Sequence, residues 1–581
     1  MKTSDLTIAI VGSGGEGVVS AGEIMVRATS TDGLYSMMIK SYGPQIRGGE
    51  SLAQIRLGTT PVRSQGNLLD GVLILSWNNY HRFSGEIMLP DGGMVFHDTD
   101  DPPPTTVKFP SGVRFIPVPF EKTALAMANT ALAKNIVALG FLTGWYNLPQ
   151  SGFRASIQER FAKKSKEAQQ GNLKAFEAGV EMALAESGRP STTWAATDLR
   201  PKLILSGNEA VSLGSIFAGV EFFAGYPITP ASEIMEWMSV ELPKFDGVFI
   251  QTEDEIAALT MAIGASYAGA KAMTSTSGPG LSLMIEAVGL AAMVELPIVI
   301  VNVQRAGPST GIPTKTTQSD LFHAVYGGHG NLPRVVLAAM DIADAVEMAV
   351  YAFYLSEKYQ TPVILLTDQF LGQRLEVVPR VDFESLRSKV IRRLAPNDEE
   401  LKAYQRFKLT ASGVSPVSVP GIRGGMYTAA GIEHNERGNP TSNVELEEKM
   451  TAKRTKKMQV LVASEEDLIW EYGDPNARFA ILAWGSTKGV VVEAVDALRS
   501  RGTPAKAIIP RLLAPLPVAA LQAKLDGLDS AFIVEMSEGQ FHTYLRGAVT
   551  LPARTSAYKR VGAAPFNLQE VLNALEGAHA L

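Results

Sequence analysis

FIQTEDEIAALTMAIGASYAGAKAMTSTSGPG, residues 249–280, reads as strand, helix, strand and glycine turn. Phe249 and Ile250 close the first strand, and Thr252 is placed to cap the helix. The small residues Ala257, Ala258, Ala262, Gly264 and Ala265 let that helix pack closely. Between cap and helix stand Glu253, Asp254 and Glu255. The four residues Thr252-Glu253-Asp254-Glu255 fit a capping box, in which Glu255 reaches back to the cap amide and is used up structurally. A carboxylate fixed at a helix start is equally a group available for chemistry, and this stretch alone leaves both roles open.

The neighbouring segments shift that balance. Residues 187–201, SGRPSTTWAATDLRP, are a polar, proline-bearing linker, so a new domain is expected from Lys202. KLILS is then a strand, GNEAVSLGSIFAGV a helix, and EFFAG a strand ending in Tyr226-Pro227-Ile228-Thr229-Pro230. GVFIQ ends in the acidic turn, KAMTS in Thr276-Ser277-Gly278-Pro279-Gly280, and PIVIVNVQ in Arg305-Ala306-Gly307-Pro308-Ser309-Thr310. Strict alternation of this kind gives an open, mainly parallel α/β sheet. All four unusual loops follow the carboxyl ends of strands, where ligands bind in such sheets, and that favours a functional Glu255.

Toward the amino terminus, LTIAIV (6–11) is a buried strand followed by Gly12-Ser13-Gly14-Gly15-Glu16-Gly17 and an apolar helix from Val18 to Ala28. The GxGxxG spacing brings backbone amides close to a phosphate. A nicotinamide site also wants an acid at the end of the next strand, and that strand, Leu34–Ile39, ends in Lys40. SYGPQIRGGES (41–51) is a glycine-rich loop with Arg47 and Glu50, and KNIVALGFLTGWY (134–146) and a charged helix close a first domain at 186. Toward the carboxyl terminus, PVILLTDQF supplies another strand, and residues 386–477 read as a long connection containing an ordered loop. From Arg478 the alternation resumes through FAILAWGST, PAKAIIP and AFIVEMSEGQ, a smaller parallel α/β domain over 478–581. The expected organisation is therefore α/β, with domains at 1–186, 202–385 and 478–581.

Composition narrows the classes. With 53 basic and 59 acidic residues and a net charge of -6, the 581-residue chain lacks the basic excess of a nucleic-acid binder. It contains no cysteine, which excludes disulfides, thiolate zinc sites and thiolate-held iron–sulfur clusters on this chain, so any redox metal belongs to a partner. The apolar run 287–303 is broken by Glu295 and Pro297, and the amino terminus does not resemble a cleavable signal. A soluble cytoplasmic protein with no membrane span is expected.

Taken together, YPITP, QTEDEIAA, TSTSGPG, QRAGPSTGIPTKTTQSD and IVEMSEGQ resemble the alpha subunit of 2-oxoacid:ferredoxin oxidoreductases. GSGGEGVVSAGE, SYGPQIRGGE and KNIVALG look like that family's gamma domain, fused ahead of alpha as in the two-subunit 2-oxoglutarate-type enzymes. The resemblance implies a thiamine-diphosphate-binding fold of the pyrimidine type in the middle and a transketolase-C-terminal-like domain at the end. It implies oxidative decarboxylation of a 2-oxoacid, most simply 2-oxoglutarate, with coenzyme A and ferredoxin, reversible in some members. It also implies a beta subunit that carries the [4Fe-4S] cluster, magnesium and the cofactor's diphosphate, in a dimer of alpha–beta heterodimers.

Residue by residue, the resemblance makes Glu255 the carboxylate that shares a proton with the aminopyrimidine. It makes Thr229 and Arg305 substrate contacts, the arginine's planar fork suiting a carboxylate. Tyr226, Pro227, Ile228, Ser277 and Gly278 join Glu255 around the cofactor, and Arg47, Gly48 and Gly49 are expected near coenzyme A. His323 and His329 lack an accompanying acid with metal spacing and read as packing or loop residues. Pyruvate or broad 2-oxoacid use, an NAD-dependent dehydrogenase built on the front glycine turn, and a noncatalytic assembly subunit remain the alternatives.

Overall fold

The computed structural model describes residues 5–42, 50–78, 80–466 and 468–578, which form two compact units. The first is built on β1 (Asp5–Ser13), β2 (Tyr35–Tyr42), β3 (Glu50–Gly58), β4 (Gly71–Ile74), β5 (Met94–Asp98), β6 (Arg114–Val118) and β7 (Lys202–Ser206), joined by a later strand, β14 (Leu375–Pro379). Their order is β6-β5-β4-β1-β3-β2-β14-β7. The half from β6 to β1 is parallel, and every pairing from β1 to β7 is antiparallel.

This sheet corrects one expected boundary. KLILS does not open the middle domain: Lys202–Ser206 pairs along its whole length with Pro379–Leu375, which in turn pairs with Met37 and Met38. The alternating pattern identifies a strand at 202–206 but carries no information about a partner 170 residues away.

The same unit weakens the dinucleotide alternative. In a dinucleotide-binding βαβ unit the two strands lie side by side, whereas here β3 separates β1 from β2. The glycine turn is also filled from within. The Glu16 carboxylate accepts from the Ser13 amide at 2.6 Å and pairs with Lys134 at 2.9 Å, so a resident acid takes the place of a phosphate.

The second unit holds two sheets. β8 (Phe222–Gly225), β9 (Val248–Gln251), β10 (Ala272–Thr276), β11 (Ile298–Gln304), β12 (Val335–Ala338) and β13 (Pro362–Asp368) run parallel in the order β12-β13-β11-β10-β8-β9. The last sheet comprises β15 (Ile469–Gly473), β16 (Phe479–Leu482), β17 (Lys506–Pro510), β19 (Ser530–Glu535) and β20 (Arg554–Lys559), ordered β15-β17-β16-β19-β20. Between β17 and β19, β18 (Leu512–Ala514) leaves this region to pair antiparallel with β12, so residues 478–581 are not self-contained. One apolar core serves both sheets, uniting Leu259, Met284 and Ile300 with Trp484, Phe541 and Leu545. Among the described residues no single helix is long and apolar enough to cross a membrane.

Part of the expected connection is a 21-residue helix, Val444–Ser464, whose buried face includes Lys453 and Lys457. Those lysines meet Glu295, which is 1% exposed and sits at φ 52°. Lys453 donates to both carboxylate oxygens at 2.6 Å, Lys457 pairs with the same group, and Arg406 donates to the Glu295 carbonyl at 2.6 Å. Burial alone would raise the Glu295 carboxyl, but Lys457, Lys453 and Arg406 outweigh it and hold it well below the usual glutamate range. A carboxyl depressed in this way stabilises the fold above the ordinary glutamate pKa and loses that contribution as pH falls. Glu295→Gln leaves two buried ammonium groups uncompensated and is expected to cost about 3–5 kcal/mol, read as a lower urea midpoint at neutral pH.

Candidate active site

The parallel strands β11, β10, β8 and β9 are consecutive neighbours, so their carboxyl ends open on one edge of the sheet. Each delivers one of the loops singled out in the sequence: Arg305 after β11, Ser277 and Gly278 after β10, Tyr226–Pro230 after β8, and the acidic turn after β9.

Within the acidic turn the cap is not Thr252. Asp254 is the N-cap of the helix Glu255–Tyr267, accepting from the Ala257 amide at 2.7 Å, while Thr252 donates its hydroxyl to the Asp254 carbonyl at 2.9 Å. Glu255 is thereby the first helical residue rather than the third, and the expected capping box does not form. Its side chain is 7% exposed, and no hydrogen bond from a described residue reaches its carboxylate. The helix amino terminus favours a negative charge there. Space for the carboxylate comes from Gly280, where a Cβ would stand 2.7 Å from Glu255 Cγ and 2.1 Å from Thr276 Oγ1. Gly264, expected to allow close packing of the same helix, faces open space instead.

Arg305 is buried and donates from Nη1 to the Thr229 carbonyl at 2.7 Å. That bond joins the β11 and β8 loops, and the Thr229–Pro230 peptide within it is cis. Asn208 supports the β8 loop from beneath, donating to the Pro230 carbonyl at 3.0 Å. Burial pulls the Arg305 guanidinium below the usual arginine value, while the carboxylates of Asp320 and Glu255 favour its charge. Ser277 caps the helix Gly278–Met293 by backbone geometry alone, leaving its buried hydroxyl without a partner. Tyr226 and Pro227 are exposed and Ile228 is half-buried. Arg47, Gly48 and Gly49 lie outside the described residues.

A cavity of about 680 Å³ opens beside these groups, lined by Gly278, Arg305, Asp320, His323 and Gln540 among others. His323, read from the sequence as a packing or loop residue, and Asp320 both line this cavity. Asp320 accepts from Asn302 Nδ2 at 3.0 Å, and a Cβ on Gly278 would stand 2.8 Å from its carboxylate. Burial pushes the Asp320 carboxyl up, opposed by the Asn302 hydrogen bond and by His323 and Arg305. Burial likewise lowers the His323 imidazole, with Asp320 opposing. Asp320 belongs to the quoted QRAGPSTGIPTKTTQSD run, so the motif contained it without assigning it a role. Gln540 likewise ends the quoted IVEMSEGQ run, again without an assigned role, and no local signal marked His323 as a site residue.

The donor set suits the pyrimidine half of thiamine diphosphate. A buried carboxylate not spent on the helix cap is what a protonated ring nitrogen requires, the unpartnered Ser277 hydroxyl adds a second polar group, and Gly278 and Gly280 keep the space between the loops free of side chains.

Comparison with known proteins agrees. Residues 213–453 match the family described as "Pyruvate flavodoxin/ferredoxin oxidoreductase, thiamine diP-bdg", and residues 7–182 match "Pyruvate ferredoxin/flavodoxin oxidoreductase". The chain is 31% identical to 2-oxoacid:ferredoxin oxidoreductase 2, subunit alpha, of Aeropyrum pernix, covering 98% of this chain and 97% of that one. It is 39% identical to 2-oxoglutarate synthase subunit KorA of Archaeoglobus fulgidus, over 58% of this chain and 88% of that one. The solved 2-oxoglutarate:ferredoxin oxidoreductase from Magnetococcus marinus with 2-oxoglutarate, coenzyme A and succinyl-CoA bound is similar at TM-score 0.92 and 36% identity, covering 99% of each chain. Strand ends, buried carboxylate and near full-length similarity all lead to the same assignment: the chain belongs to the 2-oxoacid:ferredoxin oxidoreductases, as an alpha subunit.

Proposed function

We propose that this protein is the alpha subunit of a 2-oxoglutarate:ferredoxin oxidoreductase. In the net reaction, 2-oxoglutarate, coenzyme A and two oxidised ferredoxins give succinyl-CoA, carbon dioxide, two reduced ferredoxins and a proton. The substrate assignment is supported by the ligands of the Magnetococcus marinus enzyme and by the name of the Archaeoglobus fulgidus relative. The observation that carries the chemical reading is Glu255: a buried carboxylate at a helix start, made available because Asp254 supplies the cap.

Glu255 and Ser277 are the residues assigned to the pyrimidine ring, with Tyr226, Pro227, Ile228 and Gly278 around them. When bound, thiamine diphosphate supplies the nucleophilic carbon that adds to the 2-oxo group and the electron sink for decarboxylation. Glu255 holds a proton against the ring nitrogen, and its fixed position keeps that bond from being exchanged for one to water. Arg305 orients the 2-oxoacid through its carboxylate, with the Thr229 hydroxyl beside it, and Asp320 favours the guanidinium's charge against the effect of burial.

The electron acceptor requires a redox centre, and a chain with no cysteine cannot hold a thiolate-ligated cluster. The [4Fe-4S] cluster is therefore assigned to a beta subunit, and the family resemblance is what assigns magnesium and the diphosphate contacts to the same subunit, in a cytoplasmic dimer of alpha–beta heterodimers.

In the reconstituted complex, Glu255→Gln is expected to lower turnover by about 10²–10⁴-fold without affecting assembly; unchanged turnover in an intact complex contradicts the assignment. Gly280→Ala should push the Glu255 side chain aside and cost far more activity than melting temperature, measured on the same preparation. Arg305→Lys keeps the charge but loses the planar fork, and should raise the KM for 2-oxoglutarate by about tenfold while leaving that for coenzyme A within about twofold.

A further inference from the structure

The loop from Arg305 to Asp320 forms one wall of the cavity, yet much of what fixes it comes from the far end of the chain. Its inner contacts are local: Thr317 donates to the Arg305 carbonyl at 3.1 Å, and the Asp320 amide donates to Gln304 Oε1 at 3.1 Å. Its outer contacts come from β16, β19 and the helix Gln540–Ala548. The Gln318 amide donates to the Met536 carbonyl at 2.8 Å, and Gln318 Nε2 donates to the Trp484 carbonyl at 2.7 Å.

Gln540 then brackets Asp320 on both sides. Its Nε2 donates to the Ser319 carbonyl at 2.7 Å, and its Oε1 accepts from the Phe322 amide at 3.0 Å. A primary amide can donate to one peptide and accept from another at once.

Gln540 is itself held in place. Glu535, fully buried at the end of β19, accepts from the Phe541 amide at 2.8 Å and the His542 amide at 3.1 Å. This helix start has its anion supplied by the protein. It is not a ligand site; it is an anchor that fixes where the Gln540 side chain begins. A continuous set of hydrogen bonds thus runs from Glu535 through Gln540 to the peptides flanking Asp320, and Asp320 stands beside Arg305.

We infer that Gln540 is a positioning residue for the 2-oxoacid site: the carboxyl-terminal helix sets where Asp320 and Arg305 stand and so sets substrate affinity. This inference rests on the reading of Arg305 as the carboxylate grip. It assigns Gln540 no contact with reacting atoms. The expected signature is a change in KM for the 2-oxoacid with little change in kcat.

The test uses the assembled complex with its beta subunit. Gln540→Ala removes both bonds and should raise the KM for 2-oxoglutarate about five- to tenfold, with kcat and the KM for coenzyme A within about twofold. Gln540→Glu keeps the acceptor for Phe322 but loses the donor to Ser319, and should fall between wild type and alanine. Thr543→Ala, an exposed substitution on the same helix, should change neither constant. Amide hydrogen exchange should show faster exchange at Phe322 in Gln540→Ala, whether or not substrate is bound. An unchanged KM for 2-oxoglutarate in Gln540→Ala, alongside a raised one in Arg305→Lys, overturns this inference and leaves the site reading intact. If neither variant changes that KM, the site reading falls and this inference falls with it.

Discussion

A single hydrogen bond, from the Ala257 amide to the Asp254 carboxylate, decides what the second unit can do. It starts the helix at Glu255 and satisfies an orphan amide of its first turn. Were the cap two residues earlier, at Thr252, Glu255 would serve as the acceptor-side partner of a capping box and its carboxylate would be spent on the backbone. With Asp254 in that role, the glutamate enters the interior with its carboxylate not spent on the cap, beside Gly280, at the edge where four parallel strands end.

The surrounding structure protects that placement. Small residues at 278 and 280 leave room, Arg305 ties the β11 loop to the β8 loop, and the carboxyl-terminal region pins the loop that carries Asp320. Because the second and third sheets share one apolar core and β18 is exchanged between them, the pinning region is not free to drift from the site. Glu295 and its cations tie down the long helix of the connection in the same unit. The energetic logic recurs: polar groups taken out of water are fixed by partners, and Ser277, one of those left without, stands at the candidate site.

The parallel order of β8 to β11 and the loops at their carboxyl ends were legible in the sequence, because period and loop chemistry are local. So were Glu255, Thr229 and Arg305 as residues of interest, since they fall at strand ends. The cap was not: Thr252 and Asp254 are both good cap residues, and only the observed backbone shows which one the helix uses. The pairing of Lys202–Ser206 with Leu375–Pro379 was hidden by sequence distance. Gln540 stood in the quoted IVEMSEGQ run, but its part in the site was hidden for the same reason, its partners lying more than 200 positions away. From the sequence, the connection helix reads only as part of a long connection, because nothing local shows that its Lys453 and Lys457 are buried on Glu295.

The central claim is that this chain supplies the pyrimidine and carboxylate-binding half of a 2-oxoacid oxidoreductase whose cluster sits on a partner. Coexpression with the beta subunit, followed by dye reduction under anaerobic conditions with a panel of 2-oxoacids, tests it most directly. The account predicts reduction with 2-oxoglutarate that requires coenzyme A and thiamine diphosphate, yields succinyl-CoA, and is much slower with pyruvate. An intact, cofactor-loaded complex that reduces the dye with no 2-oxoacid at all would contradict it.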